Sequence, residues 1–182
     1  MTEPAHRPRP TRPIAFLLTI AVAVAAIVLI VVRGAPGAQQ EIAVGQGVPN
    51  ITGTTLDGAA FDLSALRGRP VIVNFWKPTC VPCRTEFPLL AAKATEHAAQ
   101  GLVIVGVMSD DPIELARAFA AQYGSSWSSV IDAGGATKRA YRVLAWPQTY
   151  FVDRQGVLRS IQYGEVTEKD FERQYATISG GA

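Results

Sequence analysis

From Ile14 to Val32 the chain runs 19 residues without a charge, nearly all of them Ala, Val, Ile or Leu. At 1.5 Å per residue such a stretch spans a bilayer core of about 30 Å, and it exceeds the roughly 7–15 apolar residues of a cleavable signal. It predicts one transmembrane helix over residues 14–32. Beyond residue 44 the pattern breaks into short units. Ile51–Leu63, interrupted by Asp57-Gly58, reads as a hairpin, because Asp-Gly favours a tight turn. Val71–Trp76 and Leu102–Met108 are continuous apolar runs, as expected of strands buried on both faces. Between them, Val81 to about Gln100 carries Phe87, Leu90 and Ala94 at helical spacing and stops at Gly101. A second helix is expected after Asp110-Asp111-Pro112, with an aspartate as cap. A short strand over Ser129–Ile131, a short helix over Ala136–Tyr141, strands at Gln148–Asp153 and Val157–Tyr163 and a closing helix over Glu165–Ile178 complete the series. The alternation predicts an α/β domain whose central sheet is mixed, flanked by helices and extended by an N-terminal hairpin.

Charge changes the picture only at the N-terminus. The whole chain carries a formal +2, but Arg7, Arg9, Arg12 and Arg33 account for the excess. Residues 34–182 hold 13 Lys and Arg against 14 Asp and Glu, so no basic patch invites a nucleic acid. The basic flank before the apolar segment places the N-terminus in the cytoplasm and the rest outside, at the cell membrane. The prolines around Gly34-Ala35-Pro36-Gly37-Ala38 spoil a small-residue cleavage site, so an uncleaved anchor is expected. The expected organisation is a basic tail at 1–13, the anchor at 14–32, a linker at 33–44, one domain at 45–178 and a tail at 179–182.

The chemistry is concentrated in Cys80-Val81-Pro82-Cys83, which holds both cysteines of the chain. The pair follows a strand and opens a helix, where unpaired N–H groups and the helix dipole favour a thiolate. A structural zinc site would need two more soft ligands, and the histidines are His6, in the tail, and His97. No metal is therefore expected. A purely structural disulfide across so short a loop restricts the unfolded chain little. A working redox pair is the reading that remains, with the disulfide itself in place of any cofactor.

Four segments carry a family resemblance. Gly68-Arg69-Pro70 leading into Val71–Trp76, the block Cys80-Val81-Pro82-Cys83-Arg84-Thr85-Glu86-Phe87-Pro88, the segment Val143–Asp153 and the turn Arg154-Gln155-Gly156 together resemble the thioredoxin superfamily. They are most similar to its membrane-anchored extracytoplasmic branch related to ResA, TlpA and CcmG/DsbE. The resemblance implies a thioredoxin-like fold over about residues 45–178 and a protein-disulfide reductase. It makes Cys80 the exposed attacking thiolate and Cys83 the buried resolving thiol, and it makes Pro147 a cis-proline facing them. Thr79, Pro82, Trp146 and Pro147 would form the substrate-binding surface. Glu86, one helical turn past Cys83, would tune the cysteines and move their protons, and Asn74 stands where many relatives hold a buried aspartate. Lys77, near Cys80, would lower its thiol pKa. The implied partners are protein thiols and disulfides, such as apocytochrome c during cytochrome c maturation, and a transmembrane electron donor of the CcdA/DsbD kind.

Other functions are weighed against the same residues. An oxidase or isomerase would use the same pair in the opposite direction, and direction depends on reduction potential. A dedicated enzyme-maturation redoxin is the reading suggested by Thr79. Peroxidases on this scaffold require Pro-x-x-x-Thr-x-x-Cys, but Val73 and Lys77 hold those two positions. A metallochaperone would need a soft ligand near the pair, and His97 is about four helical turns beyond Cys83.

Overall fold

The computed structural model describes residues 12–33, 42–109 and 111–180. The basic tail before Arg12, most of the linker and the last two residues lie outside them. Two units result, one N-terminal and one from Gln40 onward.

The N-terminal unit is helix α1, Arg12–Arg33. Its described side chains, between Leu17 and Leu29, are exposed. Among the described residues no helix is long and apolar enough to cross a membrane.

The second unit begins with a hairpin, β1 (Thr52–Thr54) and β2 (Ala60–Asp62), whose antiparallel register pairs Gly53 with Phe61. The Asp57-Gly58 turn lies between the strands, and Gly58 takes a φ of +90°, which suits a residue without Cβ. A 3₁₀ turn, Leu63–Leu66, is capped by Asp62, whose carboxylate accepts the Ser64 N–H. Then follow β3 (Val71–Trp76), α2 (Val81–Glu96), β4 (Val103–Met108), α3 (Ile113–Gln122), β5 (Ser129–Ile131), α4 (Ala136–Ala140), β6 (Gln148–Val152), β7 (Leu158–Tyr163) and α5 (Glu168–Ser179). The sheet order is β5-β4-β3-β6-β7, with β4 parallel to β3, β5 parallel to β4, and antiparallel pairs at β3–β6 and β6–β7.

The two-residue period of β3 divides the core. Val71, Val73 and Phe75 join a cluster with Ile51, Leu63 and Tyr141 under the hairpin. Ile72 meets Leu90 of α2 and Phe171 of α5 on the other face, and Trp76 meets Phe87 there. Asn74 falls between Ile72 and Trp76, so the same alternation sends it toward α2. A ring cluster closes that end: Trp76 is edge-on to Phe87 at 4.9 Å and stacked on Phe119 at 5.1 Å. Such pairs add about 0.5–1.5 kcal/mol beyond the burial of their area.

Several boundaries differ from expectation. α2 ends at Glu96, and a separate 3₁₀ turn, Ala98–Gln100, leads into Gly101. α3 has Pro112 at its cap position, whose ring carries no acceptor for a side-chain cap, and the preceding Asp111 accepts from Thr79 instead. α5 begins three residues later than expected, where Thr167 and Asp170 form a reciprocal capping box.

Candidate active site

Strand β3 ends at Trp76, and Lys77-Pro78-Thr79 carries the chain to the start of α2. Cys80 is the N-cap of that helix, in extended conformation, and its Sγ accepts the Cys83 N–H at 3.2 Å. The two sulfurs are joined as a disulfide with a Cα–Cα separation of 5.3 Å. Cys80 is 7% exposed and Cys83 fully buried. Cys80 is the more accessible of the two, but at this burial it is not the exposed thiol that the family resemblance implies. Val81, the next residue, is well exposed. Pro82, partly buried, occupies the second position of the helix between the cysteines.

The Trp146–Pro147 bond is cis, and Pro147 is buried at the start of β6 with its carbonyl accepting the Gly164 N–H at 3.0 Å. Trp146 packs against the cluster that contains both cysteines. Lys77 Nζ is 4.4 Å from the Trp146 ring centroid, and Lys138 reaches the same ring at 4.3 Å. Thr79 is exposed, and its hydroxyl donates to Asp111 Oδ2 at 3.0 Å. The structure thus brings Thr79, Lys77 and Trp146 to the pair, with the cis-bonded Pro147 next in the chain to Trp146, and gives Lys77 an aromatic partner that the sequence did not reveal.

Glu86 is 1% exposed and lies in the second turn of α2, so the helix N-terminus does not account for it. Both carboxylate oxygens are engaged. Asn74 Nδ2 donates to Oε1 at 2.8 Å, and the Val166 backbone N–H donates to Oε2 at 2.9 Å. Asn74 Nδ2 also donates to Thr149 Oγ1 at 2.9 Å, as the register pairing Asn74 with Thr149 requires. Burial is the main influence on this carboxyl and pushes its pKa up to about 7. The Val166 and Asn74 donors oppose the rise, and the charge of neighbouring Glu165 adds to it. Thr149 and Val166 are site residues that sequence reasoning missed. The amide that contacts Glu86 from Val166 belongs to the backbone, and Thr149 is recognisable only once β3 and β6 are in register.

One group with the ligand types of a cation site, Glu96, His97 and Glu172, occurs among the described residues. Its centre is already served by the Lys93 ammonium, which bonds to Glu96, Glu168 and Glu172. It is an ion-pair cluster linking α2 and α5.

A Cys-x-x-Cys disulfide at a helix start, a cis Trp–Pro bond whose Trp packs against it and a five-stranded mixed sheet define a thiol–disulfide oxidoreductase on a thioredoxin-like scaffold. The chain belongs to the AhpC/TSA family, whose model matches residues 44–161. It is 33% identical over 137 residues to the thiol-disulfide oxidoreductase ResA of Geobacillus kaustophilus, a match covering 75% of this chain and 79% of that protein. The thioredoxin-like protein YneN of Bacillus subtilis is 34% identical over 132 residues, covering 71% and 77% respectively. Among solved structures, a DsbE-type thiol:disulfide interchange protein from Chlorobium tepidum superposes with a TM-score of 0.71 at 27% identity. That match covers 77% of this chain and 100% of the other. The positions at which scaffold relatives with peroxidase activity hold Pro and Thr are filled here by Val73, buried within β3, and by Lys77 on Trp146.

Proposed function

We propose that this protein is a membrane-anchored, extracytoplasmic reductant of protein disulfides. The observation that carries the reading is the Cys80–Cys83 disulfide at the start of α2, with the buried Glu86 carboxyl one turn further along the same helix. In the reduced enzyme the Cys80 thiolate attacks one sulfur of a client disulfide, and the other client sulfur leaves as a thiolate. Glu86 takes the proton of Cys83, whose thiolate then attacks Cys80 Sγ, breaks the mixed disulfide and restores the Cys80–Cys83 bond. The client leaves with both electrons as two thiolates, which take up one proton from Glu86 and one from solvent. Thr79, Pro82, Trp146 and Pro147 line the docking surface, with Lys77 and Lys138 holding the Trp146 ring in place.

Anchoring is read from the sequence, from the uncharged run at 14–32 and the basic flank before it. A dithiol kept reduced in an oxidising compartment requires an electron source, which a transmembrane donor of the CcdA/DsbD kind would supply. Apocytochrome c, whose haem-attachment thiols must be reduced, is a client of suitable chemistry.

The reduction potential tests the direction. A couple below about −240 mV supports a reductant, and one above about −180 mV would make the protein an oxidase or isomerase. Cys80→Ser is expected to abolish exchange, whereas Cys83→Ser accumulates mixed disulfides on Cys80. Equal behaviour of the two variants would refute the assignment of roles.

A further inference from the structure

The end of the sheet remote from the cysteines gathers arginines that the redox site does not use. β3, β4 and β7 begin at that end and β6 finishes there. Arg67 and Arg69 precede β3, Arg154 follows β6 and Arg159 lies in the first turn of β7. Arg67 donates to the Gln155 carbonyl, and Arg69 Nε donates to the Gly101 carbonyl at 3.0 Å. Arg154 donates to the carbonyls of Gly68 at 2.9 Å and Gln100 at 3.0 Å. These acceptors are neutral, so they orient the three guanidiniums without cancelling their charge. Among the described residues no carboxylate forms an ion pair with any of the three. Arg159, by contrast, is matched by Asp153 at 2.6 Å, and Asp62 is occupied by Ser64 and Asn50. Arg67 and Arg69 rim a cavity of about 150 Å³ floored by Leu63, Leu66, Val71 and Val152.

The chain joins the domain at this same end. The Gly45 N–H donates to the Leu158 carbonyl at 2.8 Å, and the Val48 N–H to the Gly156 carbonyl at 3.0 Å. The stretch from Arg33 to Ile42 spans at most about 30 Å when fully extended. An anchored chain therefore keeps the arginine end within reach of lipid headgroups, while the cysteines lie a strand length, roughly 20 Å, further on.

We propose that this end docks on the anionic surface of the bilayer that carries α1. Arg67, Arg69 and Arg154 seat lipid phosphates, and the Cys80–Cys83 end faces the aqueous side. The proposal rests on the anchored reading above. Guanidinium groups suit phosphate because their planar N–H fork bonds it in a bidentate manner. Near an anionic leaflet each basic residue strengthens binding about fivefold.

The test is amide hydrogen exchange of the full chain in bilayers of phosphatidylcholine alone and in bilayers with a third phosphatidylglycerol. Exchange in residues 64–69 and 153–157 is expected to slow about threefold or more on the anionic bilayer, with residues 80–87 unchanged. Salt at about 0.5 M, where screening is short-ranged, should remove the protection. The triple change Arg67→Gln, Arg69→Gln and Arg154→Gln should abolish it, and the triple change to Lys, which keeps the charge, should retain most of it. Equal exchange on both bilayers, or protection that survives salt in the unaltered protein, would overturn the proposal. Alkaline carbonate extraction separates the two readings. A chain that resists extraction but shows no lipid-dependent protection is anchored without docking. A chain that is extracted yet still protected by added anionic vesicles docks without an anchor.

Discussion

Replacing Glu86 by glutamine isolates the contribution of one buried carboxyl to stability. In the unfolded chain its pKa is near 4.5, and in the folded protein burial raises it to about 7. The folded state therefore binds this proton more tightly. Stability linked to Glu86 is fully present below pH 4.5 and is lost as pH rises through 7. At about 1.4 kcal/mol per pH unit, the loss over that interval is about 3 kcal/mol. The substitution keeps the side-chain shape and removes the titration. Its local cost is a rearrangement around Asn74, whose Nδ2 now donates to both Glu86 and Thr149. If the Asn74 amide turns over, Oδ1 accepts from the new carboxamide N–H and from the Thr149 hydroxyl and the new carbonyl still accepts the Val166 N–H, while Nδ2 takes the buried position that Oδ1 now holds without a partner. Urea unfolding of the oxidised protein at pH 5, 6, 7 and 8, followed by tryptophan fluorescence, reads the difference. Glu86→Gln is expected to match the parent within about 1 kcal/mol at pH 5 and to exceed it by about 2–3 kcal/mol at pH 8. Parallel pH profiles for the two proteins would refute the argument.

Two further outcomes concern packing. Lys93→Met removes the ammonium that Glu96, Glu168 and Glu172 share and leaves three carboxylates together, so unfolding free energy should fall by about 1–2 kcal/mol. The deficit should shrink at high salt, which urea titrations at two ionic strengths would show. Gly106→Ala would place a Cβ 2.2 Å from Ser129 Oγ and 2.7 Å from Trp76 Nε1. A cost of about 1–3 kcal/mol is expected in thermal unfolding, and an unchanged midpoint would show that the sheet yields there at little cost.

What could be read from the sequence was mostly local. The strand–helix alternation follows from periodicity within windows of a few residues, and the cysteine block carries its own setting between a strand and a helix. Pro147 needed the family resemblance, since nothing in Ala145-Trp146-Pro147 alone distinguishes a cis from a trans bond. The parts that were not legible depend on distant segments meeting. The family resemblance singles out Glu86, but its partners, Asn74, twelve residues earlier, and Val166, eighty residues later, are visible only once the fold closes over it. Lys93 has the look of a solvated lysine, yet it is 5% exposed because α5 supplies two of its three carboxylates. Asp111 reads as an N-cap, but α3 starts one residue later than that, with Pro112 at the cap, and the Asp111 side chain accepts from Thr79, thirty-two residues earlier in the chain.

Because the sulfur that exchanges electrons is also the atom that starts α2, redox and folding are two sides of one thermodynamic box. A thiolate at Cys80 accepts the Cys83 N–H more strongly than a disulfide sulfur does, and the helix terminus favours its charge. Whatever this adds to the stability of the folded dithiol appears in equal measure as a shift of the couple toward oxidising power. The exchange rate is about 30 mV for each 1.4 kcal/mol. Unfolding curves of the oxidised and reduced protein, taken side by side, would therefore report its potential relative to the same two cysteines in the unfolded chain, with no redox buffer in the cuvette.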